Sequence, residues 1–203
     1  MKYSAFLLIL LAIGCGSAVV QRAPTTEKVV EAPEVAVEAV EVFYQRQSGL
    51  WKFKVDSGLV SGKITSYHPD GKIAKVVPVV NGSKEGTQLT YFPDGKAKFE
   101  EHFSDNQLNG VVKRWGLGEG YQLLAELNYV DGKLHGTQKK WYATGELHKV
   151  LQLRDGKEEG LQQAFRKNGA LYANYEARNG RVFGLKRSNL CYELEKEQVV
   201  YLQ

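Results

Sequence analysis

The sequence predicts an all-β fold, an elongated single-layer antiparallel β-meander built from about six hairpin repeats of ~24 residues. Two observations predict it. Glycines return in phase along most of the chain, and the segments between them alternate apolar and polar residues with the period of a strand.

The first glycine of each unit falls at Gly62, Gly86, Gly110, Gly136, Gly160 and Gly184, at intervals of 24, 24, 26, 24 and 24 residues. Five positions later the first five units carry an aromatic: Tyr67, Tyr91, Trp115, Trp141 and Phe165. Nine positions after the first glycine stand Gly71, Gly95, Gly145 and Gly169, with Gly120 in that role in the unit that gained two residues. Four positions before each first glycine stand Gly58, Gly82, Asn106, Gly132, Gly156 and Gly180. Asn106 breaks the glycine series with the residue that next best tolerates a positive φ. Three series locked in phase with the first glycines define a repeat.

Turn chemistry converts the repeat into structure. Pro69-Asp70-Gly71, Pro93-Asp94-Gly95, Ala143-Thr144-Gly145 and Lys167-Asn168-Gly169 are tight-turn sequences. Asn81-Gly82, Asp131-Gly132, Asp155-Gly156 and Asn179-Gly180 are two-residue hairpin signals. Between them, Leu147, Leu151 and Leu153 share parity, as do Leu123, Leu127 and Tyr129, and Leu171, Tyr175 and Ala177. Connections this short permit only antiparallel neighbours. One hairpin buries too little to stand alone, so the units must stack. Stacking turns the fifth-position aromatics into a ladder, read as core, and truncating Trp141 to Ala would then cost about 3–5 kcal/mol. The opposite parity, with Gln138, Lys140, Gln162 and Arg166, is expected to form a wet face.

The flanks divide the rest of the chain. Residues 1–14 read as a lipoprotein signal peptide: Lys2, an apolar run from Ala5 to Ile13, then small residues up to Gly14 and Cys15. Cys15 is the expected lipidation site, and its acyl chains would anchor the protein to a membrane. No acidic retention signal follows it, which favours the outer membrane. With Cys15 acylated, Cys191 has no partner for a disulfide. Residues 15–42 read as an acidic Pro/Val/Glu tether. Residues 43–61 read as a degenerate N-terminal cap repeat with Tyr44, Gly49, Trp51, Phe53 and Gly58, and residues 62–183 hold five full repeats. Residues 184–203 read as C-terminal cap strands guarded by Glu193, Glu195, Lys196 and Glu197. Residues 1–42 carry a net −2 and the remainder +6, too mild an excess to indicate nucleic acid.

The succession of glycine, aromatic, Asp/Asn-Gly, apolar strand and Asn/Asp-Gly resembles the bacterial variant of the MORN repeat over roughly residues 43–190. Arrays of this kind are often grouped as YwqK-type antitoxins. The resemblance implies a scaffold, a dimerisation module or a membrane-associated binder, and specifies no activity.

The chemistry points the same way. His68, His102, His135 and His148 fall at different offsets within their units, so no strand ladder gathers them for a metal. Asp70, Asp94, Asp131 and Asp155 sit in turns, and the glycines open no helix that could hold a phosphate. No catalytic, cofactor or metal site is expected, and the chain is not expected to be an enzyme. Lys113 and Arg114, Lys139 and Lys140, and Lys186 and Arg187 recur near the starts of units and could stack into a basic stripe facing anionic headgroups. The leading expectation is a membrane-tethered scaffold that binds a protein partner in the cell envelope. The alternatives are an antitoxin or immunity protein and a direct lipid or cell-wall binder. The sequence leaves self-association open.

Overall fold

The computed structural model describes residues 33, 35–117 and 120–185, and the backbone of two short strands beyond them. The leader, Cys15, most of the tether, Lys186, Arg187 and Cys191 lie outside the described residues.

Strand β1 (Ala36–Glu38) leads through a 3-10 turn (Ala39–Glu41) into a hairpin of β2 (Val42–Gln45) and β3 (Leu50–Phe53). The repeats follow as β4 (Gly62–Tyr67), β5 (Ile73–Val80) and β6 (Ser83–Lys84), then β7 (Gly86–Tyr91), β8 (Ala97–Ser104) and β9 (Gln107–Leu108). Next come β10 (Gly110–Trp115), β11 (Leu123–Val130) and β12 (Lys133–Leu134), then β13 (Gly136–Trp141) and β14 (Leu147–Arg154). In the fifth repeat the short and long pieces fuse into β15 (Lys157–Phe165), which pairs with β16 (Leu171–Arg178). A sixth unit begins with β17 (Arg181–Leu185), and β18 (Tyr192–Glu193) pairs only with β19 (Gln198–Val199).

From β4 to β17 the main strands lie side by side in chain order, each antiparallel to the next. This is the single-layer meander that the repeat predicts. The second turns take both central residues to positive φ, at 47° and 81° for Asn81-Gly82 and 48° and 73° for Asp131-Gly132. That is the mirror-image turn whose twist matches a hairpin. Asp105 and Asn106 achieve the same turn without glycine, at 43° and 65°.

Those turns also join the repeats. The N–H of Gly82 donates to the carbonyl of Val60, Asn106 to Lys84, Gly132 to Leu108 and Gly156 to Leu134, at 2.7 to 3.1 Å. Each bond crosses one repeat, so the third glycine series stitches a unit to its predecessor.

One expectation fails at the N-terminus. The tether does not run to residue 42, because Ala36–Glu38 pairs with β4 as a parallel edge strand. Val37 drives this, since it is buried among Val42, Val60, Ile64, Val77 and Val79, with Trp51 and Phe53 packed on the cluster. Burying a side chain of that kind is worth about 1.5–3 kcal/mol, and together with the backbone pairing to β4 it orders a short segment that composition alone marks as solvated. Gly62 makes room for it: a Cβ there would stand 2.5 Å from the carbonyl oxygen of Val35.

Candidate interaction surface

Every repeat carries a β-bulge at one place. The register slips between Ser66 and Tyr67, Thr90 and Tyr91, Arg114 and Trp115, Lys140 and Trp141, and Ala164 and Phe165. An extra residue on the partner strand breaks the simple alternation of faces. Parity therefore does not carry along the partner strand, from Leu147 opposite Trp141 to Leu151 opposite Gln138.

The ladder itself fixes the faces. Gln138 opposes Leu151, Leu151 opposes Gln162, and Gln162 opposes Tyr175. Gln138 and Gln162 thus share a face with the leucines, and they are the reverse of wet: 1% and 0% exposed. Gln88 occupies the same column and is 3% exposed, while Ile64 and Val112 fill it in the remaining repeats. The N-terminal hairpin packs over this face at Ile64, Val77 and Val79, and we call it the capped face.

A buried glutamine must find partners. Beyond Glu126 the ladder between β11 and β13 opens, and Gln138 fills the gap. Its Oε1 accepts the N–H of Asn128 at 2.7 Å, and its Nε2 donates to the carbonyls of Asn128, His135 and Gly136 at 3.1 to 3.2 Å. Gln162 repeats half of this, with Nε2 donating to the carbonyls of Gln152 and Gly160, and its Oε1 is left without a partner. The sequence carries a signal that went unread: glutamine two residues after the first glycine in three of the five repeats.

The aromatic ladder is half in water. Tyr91, Trp115, Trp141 and Phe165 are intermediate in burial, and Tyr67 is 49% exposed. Its neighbours one residue on form a second column that the sequence reading missed: His68, Phe92, Tyr142 and Arg166. His68 Nε2–H donates to the carbonyl of Tyr91 at 3.1 Å, and Tyr142 Oη–H donates to that of Phe165 at 2.9 Å, each reaching the next repeat. Where the third repeat has Gly116, its two-residue insertion returns Tyr121 to the gap. That ring stacks on Trp115 at 6.5 Å, meets Phe92 edge-on at 6.3 Å and donates its hydroxyl to the carbonyl of Ala97. The predicted turn glycines Gly71, Gly95, Gly120, Gly145 and Gly169 all take positive φ.

The proposed basic stripe divides. Lys113 and Arg114 are consecutive on β10 and face opposite ways, as do Lys139 and Lys140 on β13. On the outer face, Glu100, Lys113, Glu126 and Lys139 oppose one another in succession, and Lys113 Nζ lies 3.2 Å from Glu100. Acid and base alternate there, so that half of the stripe is neutralised.

The capped face keeps its charge. Its flanking column runs Arg114, Ala125, Lys140, Lys149, Ala164 and Ala173 across six strands. Lys140 and Lys149 stand directly opposite one another, an arrangement that repels. Among the described residues neither has an ion-pair partner. His148 feels the result: burial first, then Lys149 and Lys140, hold its pKa below the ordinary histidine range. Its ring stacks on Tyr142 at 4.4 Å and its Nε2 lies 3.3 Å from the Tyr172 hydroxyl.

Beside these lysines a groove of about 250 Å³ opens between β14, β15 and β16. Ala164 and Ala173 line it with Leu151, Tyr172 and Tyr175, and its polar groups are Lys149, Gln162, Gln163 and Glu158. Glu158 accepts the Tyr175 hydroxyl at 2.8 Å, and burial together with that carboxylate pushes the phenol up to about 12. Among the described residues no group of three His, Cys, Asp or Glu side chains is placed to hold a metal.

These features define a repeat protein whose hairpins stack into one sheet. Two stretches, residues 84–105 and 134–153, match the family described as MORN repeat variant, and the chain is similar to that family over those residues. Comparison with curated proteins gives no match.

Proposed function

We propose that this protein is a non-enzymatic scaffold, held on an envelope membrane through acylated Cys15, whose capped face engages another protein. One observation carries the reading. Past the N-terminal hairpin the capped face presents half-buried Phe99, Phe103, Leu127, Tyr129, Leu151 and Leu153, with Glu101 between the two phenylalanines, beside a column in which Arg114, Lys140 and Lys149 meet no carboxylate. Apolar and aromatic groups next to arginine make the composition of an interface centre. The packing of the chain's own hairpin over the equivalent residues of the first repeat supports the reading.

The lipid anchor rests on the residues around Cys15. The outer membrane is the proposed location because no acidic residue follows at positions 16 and 17. An immunity role would be the same binding activity directed at a toxin. Affinity capture from envelope extract, with reconstitution of any captured protein in pure form, tests the reading. A stoichiometric partner that rebinds when purified supports it, and a toxic partner specifies the immunity role. Absence of any partner, with recovery of lipid or cell-wall material instead, overturns it.

A further inference from the structure

We propose that the groove between β14, β15 and β16 is a site for an acidic peptide segment, with its carboxylates against Lys140 and Lys149. The inference rests on the scaffold reading and specifies the chemistry of the partner.

Charge makes the first argument. Lys140 and Lys149 are cross-strand neighbours, and Ala125 and Ala164 flank them on either side. The column therefore places no carboxylate where it could neutralise them, while the same sheet alternates acid and base on its outer face. A pair of like charges costs stability in the free protein, and an anion relieves that cost. An occupant with carboxylates is thus favoured over a neutral or basic one.

Shape makes the second. Ala164 and Ala173, two small side chains, line the groove together with Leu151 and the rings of Tyr172 and Tyr175, which leaves room for an apolar side chain. Gln162 lines the same groove, is wholly buried, and has an Oε1 with no donor. The groove is also polar along its length: Lys149 stands at one end, and Glu158 stands at the other, opposite Leu153. Four strand residues separate the ends, about 13 Å. A short extended peptide matches that span, with acidic side chains at the lysine end and an apolar residue over the alanines.

The test titrates the full chain with acetyl-Leu-Asp-Asp-amide and with acetyl-Leu-Asn-Asn-amide by calorimetry, at low and high salt. The acidic peptide is expected to bind at least about tenfold more tightly, with the advantage falling as salt rises. Lys140→Gln/Lys149→Gln should abolish that advantage while leaving the melting temperature equal or higher, since it removes a repulsive pair. Equal binding of the two peptides, no binding of either, or an unaffected lysine variant would overturn the proposal. So would binding of vesicles containing an anionic phospholipid with no binding of the acidic peptide. If a protein partner is captured but the peptide does not bind, the scaffold reading survives and this inference fails. If the peptide binds and no partner is captured, the reverse holds.

Discussion

The side-chain amide of Gln138 holds both backbone groups of Asn128 on the adjacent strand, accepting from its N–H at 2.7 Å and donating to its carbonyl at 3.1 Å. A side chain here replaces a rung of the sheet. The bond ties β11 to β13, and so one repeat to the next, at the point where the ladder opens.

Gln138→Leu keeps the volume and removes both bonds. The Asn128 amide is then left without an acceptor, and the expected loss is about 1–3 kcal/mol. Chemical denaturation followed by circular dichroism checks it. A variant as stable as the parent would show that the column wants only bulk, which Ile64 and Val112 supply in two of the repeats.

The aromatic columns should divide the cost between them. Trp141 is half-buried, so Trp141→Ala is expected to lose about 1–3 kcal/mol, less than a fully buried ring would. Tyr142→Phe keeps the ring stacked beside His148 and removes only the bond to the Phe165 carbonyl, at about 0.5–1.5 kcal/mol. Melting curves of the two variants, measured together, test this order.

His148 makes stability depend on pH. Its folded-state pKa lies below the ordinary value near 6.5, through burial and then Lys149 and Lys140. The unfolded chain therefore binds the proton more readily. The contribution is complete above pH 6.5 and is lost as pH falls through the folded value. The difference between the parent and His148→Gln, measured from pH 8 down to about 5, should show this slope in the parent only. Lys140→Gln should also raise the histidine pKa, read by the titration of its ring protons. An unchanged pKa would remove the lysines from the account.

Gly62 is the hinge of the N-terminal docking. Its φ of 147° and the approach of the Val35 carbonyl both exclude a side chain. Gly62→Ala should release β1, cost more than about 1 kcal/mol, and speed proteolysis within residues 35–41. An unaltered cleavage rate would mean that β1 is dispensable.

The repeat was legible in the sequence because its turns depend on backbone geometry that few residues adopt. Asn81-Gly82 and Asp131-Gly132 can be read as hairpin turns without a structure, and Asn106 was legible as the exception. The faces were not. The extra residue that each bulge puts on the partner strand breaks the parity that connects Leu147, opposite Trp141, to Leu151, opposite Gln138, and a buried glutamine looks solvated until its partners on the next strand are known. The stripe divided for a related reason: neighbours in sequence such as Lys139 and Lys140 point to opposite sides, and only cross-strand register reveals Glu126 beside one and Lys149 beside the other. Val37 shows the limit of composition, because an acidic stretch can still supply one apolar residue to a core.

The most direct test of the account compares the two faces of the sheet. Partner capture would be run with the parent, with Arg114→Glu/Lys140→Glu on the capped face, and with Lys113→Glu/Lys139→Glu on the outer face, all verified as folded. The account predicts that the partner is lost from the capped-face variant and retained by the outer-face variant. Loss from the outer-face variant alone, or retention by both, would contradict it.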